Sequence, residues 1–170
     1  YNSAASEWQP KGNDVVNDAD SDTKIQVEES ADEDKIRFDV AGSEAMIIEE
    51  DGDVGVNTSS PKSGFEINNS YGLKVNTVSS STTLDGDHNT VLANNPSGLP
   101  NAITITLPSA STCKGRVYII KIINNGVVEV KPQPGESMDN YTSGSSLVMS
   151  SNYQFVQVIS DGSNWYIIND

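Results

Sequence analysis

The sequence predicts an all-β protein: an acidic, shaft-like amino-terminal segment of short strands followed by a carboxy-terminal β-sandwich or compact barrel. Three observations point there. Apolar residues recur with period two in short runs; clusters of Gly, Asp, Asn and Pro interrupt the runs every 8 to 20 residues; and no window sustains a helical period.

Tyr1 to Asp22 is rich in Asn, Asp, Ser and Ala, with isolated apolar residues at Trp8, Val15 and Val16, and reads as an extended lead-in. Beyond it Ile25 and Val27 point to one side of a strand, and after the acidic turn Ala31 to Asp34 the same holds for Ile36, Phe38 and Val40. Met46 to Ile48 and Val54 to Val56 supply two more short strands, broken apart by Gly42, Gly52 and Gly55 as turns and bulges require. The run Asp51 to Pro61, DGDVGVNTSSP, lies between a strand-like block at Lys35 to Glu50 and another at Gly64 to Asn68. Its turn dipeptide, alternating valines and proline-closed Ser/Thr run leave no room for a helix.

At Tyr71 to Asp87 the composition shifts into a Ser/Thr-rich stretch, which divides the chain into segments 1–70 and 71–170. Stronger strands are expected beyond it at Thr90 to Ala93, Ala102 to Leu107, Arg116 to Ile123, Val127 to Lys131, Tyr153 to Ile159 and Trp165 to Ile168. Turn signals separate them at Asn94 to Pro100, Pro108 to Gly115, Asn124 to Gly126, Pro132 to Gly135 and Asp161 to Asn164.

The net charge of −14 over 170 residues is unevenly placed. Residues 1–70 hold 17 acidic and 5 basic side chains, a net of −12, whereas residues 71–170 hold 7 and 5, a net of −2. Nucleic-acid binding is excluded as an expectation, because phosphate recognition depends on clustered Lys and Arg. Counting Val, Ile, Leu, Met, Phe, Trp and Tyr, 16 of the first 70 residues are apolar against 34 of the last 100. Burial returns roughly 25 cal/mol per Å² against an ordering cost of about 1–2 kcal/mol per residue, so the first segment is expected to borrow surface from sister chains. Trp8, Val15, Val16, Ile25 and Val27 are its candidate assembly residues. The longest apolar patch, Val117 to Ile123, is interrupted by Lys121 and fits a buried strand rather than a membrane span. The chain begins at Tyr1 without a methionine, which points to a removed signal peptide or a longer amino-terminal part.

The sharpest candidate for chemistry is DADSD. As a calcium loop, Asp18, Asp20 and Asp22 take positions 1, 3 and 5 and Glu29 takes position 12, but Thr23 stands where the loop's sharp turn needs glycine and no helix flanks it. A solvated acidic turn is the plainer reading, with calcium as the one cofactor to be considered. Asp51-Gly52-Asp53, Asp85-Gly86-Asp87 and Asp161-Gly162 read first as turns. His88 is the only histidine and has no nucleophile elbow to serve; Cys113, near Lys114 and Arg116, has no catalytic partner. One His and one Cys cannot fill a zinc shell, and no glycine run opens a helix as a phosphate loop would. No catalytic residues are assigned. Of the aromatic residues concentrated at the carboxy terminus, Phe155 and Trp165 are expected to fill a core, while Tyr141, with Asn140 in the loop MDNYTSGSS, is expected to be exposed and is the candidate ligand contact.

Two stretches carry a resemblance. Asp22 to Pro61 resembles a unit common in phage tail fibres and in secreted bacterial surface proteins, which passes from a strand pair into a G-N-V-G-I-G-T-x-x-P turn; here Asp53 replaces its Asn, and Val56 and Asn57 its Ile and Gly. Ile103 to Ile122 through Asp161 to Asn169 is similar to the terminal β-domain of tail-fibre-like proteins. The resemblance implies a non-enzymatic extracellular attachment protein, a homotrimeric fibre or spike segment that meets a cell-surface receptor or glycan. The rival expectation is a subunit of a secreted bacterial filament, polymerising by strand complementation between identical subunits.

Overall fold

The computed structural model of the protein describes residues 15–27, 30, 32–98, 100–142 and 144–170. Trp8 and Glu29 lie outside the described residues, as does the side chain of Val15. The chain is all-β, with three sheets of mixed strand direction, and divides into two units between Tyr71 and Gly72.

The first unit is one six-stranded sheet in sequence order: β1 (Val15–Asn17), β2 (Lys24–Gln26), β3 (Ile36–Val40), β4 (Ser43–Ile48), β5 (Val54–Val56) and β6 (Phe65–Ile67). Every pairing is antiparallel except β5 with β6. The block Lys35 to Glu50 therefore resolves into a hairpin. Its two-residue turn places Ala41 at φ 50° and Gly42 at φ 73°, the doubly positive backbone that matches strand twist. Ile47 is the only buried apolar residue in this unit among those described.

The second unit contains two sheets. The strands are β7 (Val75–Val78), β8 (Thr82–Thr83), β9 (Thr90–Ala93), β10 (Ala102–Thr106), β11 (Val117–Ile122), β12 (Val127–Lys131), β13 (Leu147–Met149), β14 (Phe155–Ser160) and β15 (Trp165–Asn169), with a 3-10 turn at Ala110–Thr112. From β7 to β12 the chain alternates between sheets, so that β7, β9 and β11 lie parallel in one sheet while β8, β10 and β12 lie parallel in the other. Three such turns of winding end in antiparallel strands: β13 closes on β12, and β14 with β15 on β11. Neither sheet closes on itself, which corrects the compact-barrel form of the expectation.

One core serves both sheets of this unit. Alternate residues of β9, β10, β11, β12 and β14 are buried, and Trp165 and Tyr118 are its largest members, with ring centroids 5.6 Å apart. The Trp165 indole N–H donates to Pro108 O at 3.2 Å and the Tyr118 hydroxyl to Asp85 O at 2.8 Å, so each large ring buries its body and satisfies its polar end.

Candidate functional site

Side chains alternate across a strand, and in the six-stranded sheet the register sorts them sharply. Val16, Ile25, Phe38, Met46, Val56 and Ile67 are paired one to the next across all six strands. A second row runs beside them: Ile36, Ile48, Val54 and Phe65. No charged residue stands in either row, although the segment is the acidic one.

The opposite face is polar, and it is the buried one. Gln26, Arg37, Ile47, Gly55 and Glu66 share a row there. Arg37 is only 6% exposed, gripped by the carboxylates of Glu33 and Glu44; Lys24 meets Asp39 at 3.3 Å and Lys35 meets Glu49 at 2.8 Å. The Glu49 carboxylate also raises the affinity of the Lys35 ammonium for its proton. Gly55 shows why the DGDVGVN motif needs glycine: a Cβ there would stand 2.3 Å from Thr58 O, where the following loop folds back over the sheet. Long ion-paired side chains and this loop thus cover the polar face, while Val16 at 72% and Phe65 at 62% exposure mark the apolar face as open. Of the expected assembly residues, Val16 and Ile25 lie in the first apolar row, and Val27, just past β2, is also exposed. Sequence reasoning missed the second row and the partners on β4 to β6. Their signal was the alternation of Met46 with Ile48 and Val54 with Val56, which needs the register to be placed on one face.

The acidic triad is also brought together. Carboxylate oxygens of Asp18, Asp20 and Asp22 lie within 4.8 Å of one another, all exposed, close enough to share a divalent ion such as calcium. The bend falls at Ser21, at φ 66°, rather than at the sixth loop position, and Asn17 Nδ2 donates to Ser21 Oγ at 2.7 Å to hold it.

The remaining candidates serve the fold. His88 Nδ1 lies 2.7 Å from Asp85 Oδ1, and the hydrogen bonds of His88 among the described residues all go to Asp85. Asp85 is held below the usual carboxylate range by the Asp87 backbone N–H and then by His88. Asp161 is lowered likewise by the backbone N–H groups of Asn164 and Ser163, and its carboxylate in turn raises the Tyr166 hydroxyl. Burial pushes the Tyr118 hydroxyl up, against the opposing effect of Arg116. Cys113 is half-buried with its thiol 3.4 Å from Ser109 O. Tyr141 is half-buried and packed against the core, which corrects the expectation that it stands in solvent; its backbone pairs with Met138 at 2.7 and 2.9 Å, and Asn140 beside it is exposed. No helix among the described residues is long and apolar enough to cross a membrane.

Comparison of the chain with protein-family models, with curated proteins and with solved structures finds no match.

Proposed function

We propose that this chain is a non-enzymatic structural and attachment protein that works as a homo-oligomer, a trimeric fibre or spike segment of the tail-fibre kind, extracellular and turned toward a cell-surface receptor or glycan. The observation that carries the reading is the apolar face of the six-stranded sheet, exposed at Val16, Ile25, Ile36 and Phe65 and half-buried between them, over which no covering layer lies among the described residues. A sheet with one apolar face must bury it against another layer, and this unit has a single buried apolar residue among the described ones. A cover that the fold cannot do without is most simply supplied by the same chain in the same amount. The rows are free of charge, so no like-charged pair is buried in the contact, while the segment's net charge of −12 repels at longer range and is screened by salt. Within this reading the two sheets of the second unit make a sandwich at the tip, where repeated loops gain avidity from copy number rather than from one deep pocket.

The filament reading draws on the outer strands: β1, three residues long, and β6 both end the first sheet with an edge that no strand pairs among the described residues. Light scattering after size exclusion separates the alternatives. Discrete trimers support the spike and open-ended polymers the filament. A monomer at micromolar concentration overturns both, and Phe38→Glu with Met46→Glu is expected to dissolve either assembly.

A further inference from the structure

We infer that the first unit closes an intramolecular amide between Lys24 Nζ and the side-chain carboxyl of Asp39, a covalent tie from β2 to β3 formed with loss of water. The inference goes beyond the oligomeric reading and does not depend on it, since both groups belong to one chain.

Three strands bring the reacting groups into one row. Asp39 pairs with Lys24 on one side and with Glu44 on the other, so Lys, Asp and Glu lie side by side on β2, β3 and β4. Lys24 Nζ is 3.3 Å from Asp39 Oδ2, and the Asp39 side chain is only 10% exposed. Its other oxygen, Oδ1, is buried and meets no hydrogen-bond donor among the described residues. In a buried ion pair the attraction offsets the lost hydration only when the remaining lone pairs are satisfied, and here one oxygen is left idle. An amide removes both charges and keeps a single neutral oxygen, which costs less to leave unpartnered than a carboxylate oxygen does. The burial that makes this a poor ion pair thus favours the condensed product. Register supplies the rate: amine and carboxyl held together in a well-oriented geometry react as if at effective concentrations of about 10⁵ M or more.

The step balances within the row. The ammonium passes one proton to an Asp39 oxygen, leaving a neutral amine against a neutral acid. The Nζ lone pair forms the new N–C bond at Asp39 Cγ. The Glu44 carboxylate takes a second proton from nitrogen and delivers it to the departing hydroxyl, and the C–O bond breaks to release water. Of the three ammonium hydrogens one stays on the amide and two leave in the water; nothing is oxidised or reduced. Arg37 Nε, 3.2 Å from Glu44 Oε2, holds the proton carrier in place.

Other lysine–carboxylate pairs lack this setting. Beside Glu49 the Lys35 ammonium holds its proton more firmly, and that proton must leave before nitrogen can attack. The Lys74–Asp87 pair is exposed on both sides, where water solvates its charges. An amide at Lys24 and Asp39 closes residues 24–39 into a covalent loop, in a unit with one buried apolar residue among those described, where a small core gains most from a cross-link.

Intact-mass spectrometry of the denatured full chain tests this. The wild-type protein is expected to be one water lighter than its sequence, and digestion should release a branched peptide joining Lys24 to Asp39. Lys24→Arg, which keeps the charge and removes the amine, should carry the full mass. Glu44→Gln should close about a hundredfold more slowly; closure at the wild-type rate overturns the role given to Glu44. The wild-type mass requires no variant to fold and decides alone, since a chain at full mass overturns the inference. A water lost instead at Asp51-Gly52, Asp85-Gly86 or Asp161-Gly162 marks succinimide formation at a turn and overturns it equally. Monomer and oligomer give the same mass, so neither result touches the oligomeric reading.

Discussion

Asn95 follows β9 and is 2% exposed, and the second unit is expected to depend on its amide more than on any surface polar group. Nδ2 donates to Asn101 O at 2.7 Å and to Val127 O at 2.9 Å, while Oδ1 accepts the Ser97 N–H at 3.0 Å. One side chain therefore ties the loop after β9 to the chain entering β10 and to the start of β12. Asn95→Ala removes all three bonds. The Val127 carbonyl is buried and loses a partner water cannot replace, costing about 1–3 kcal/mol, and the two half-buried bonds add about 1 kcal/mol each at most. The expected loss is about 3 kcal/mol. Asn95→Asp has the same shape but aims a carboxylate oxygen at two carbonyls, so it should cost more than alanine and recover in part below about pH 4, where the carboxyl is protonated. Gly126 explains the site's second requirement: a Cβ there would fall 2.4 Å from Asn95 Cβ and 2.9 Å from Asn95 O. Gly126→Ala must displace the amide, so with Asn95→Gly its cost should fall short of the sum of the two single changes. Urea unfolding at one fixed protein concentration measures all five variants, the double change included. A loss below about 1 kcal/mol for Asn95→Ala, or an Asp variant as stable as wild type, would refute the assignment.

Four further outcomes are expected. Gly55→Ala should lower the melting temperature of the first unit through a cost of about 1–3 kcal/mol, because the obstructing atom is the Thr58 backbone carbonyl rather than a mobile side chain; a neutral result would mean that the loop does not fold over the sheet. Asp85 and Asp161 have folded-state pKa values below their unfolded ones, so the stability they contribute is intact above the ordinary aspartate range near pH 4 and is lost as pH falls through the folded values. Asp161→Asn should therefore flatten the acid limb of a stability-versus-pH curve. Tyr118, raised by burial, acts at the other end: its contribution is whole below about pH 10 and is lost as pH rises through the folded value, which Tyr118→Phe should abolish. Calcium titrated calorimetrically should bind no tighter than about 1 mM, as three exposed carboxylates with no bidentate fourth ligand among the described residues provide, and micromolar binding would show that further ligands join the triad.

Strand existence was legible wherever side chains are half-buried. Val54–Val56, Thr90–Ala93 and Val127–Lys131 lie where alternation and flanking turn residues put them, and the bounds of the other carboxy-terminal strands differ by one or two residues. The short Thr82–Thr83 strand and Leu147–Met149 were not legible, because two threonines give no period, Leu-Val-Met is an apolar run without alternation, and their pairing partners, β10 and β12, are remote in sequence. The acidic triad could be read from spacing alone, since five consecutive residues in a bent loop stay close whatever surrounds them.

By itself, then, the sequence determined the class of element, the turns, and which residues alternate: Phe38 with Val40, Ile103 with Ile105, Tyr118 with Ile120. Which of two alternating sets lies inside was decided by tertiary structure. Around β3 it buried Arg37 and Asp39 and left Ile36 and Val40 open, the reverse of what hydropathy selects, because ion pairs and a returning loop fill the polar side. The alternation of β7 to β12 between two parallel sheets is equally invisible in composition: each pairing joins residues more than ten positions apart, and local preference does not extend across that distance.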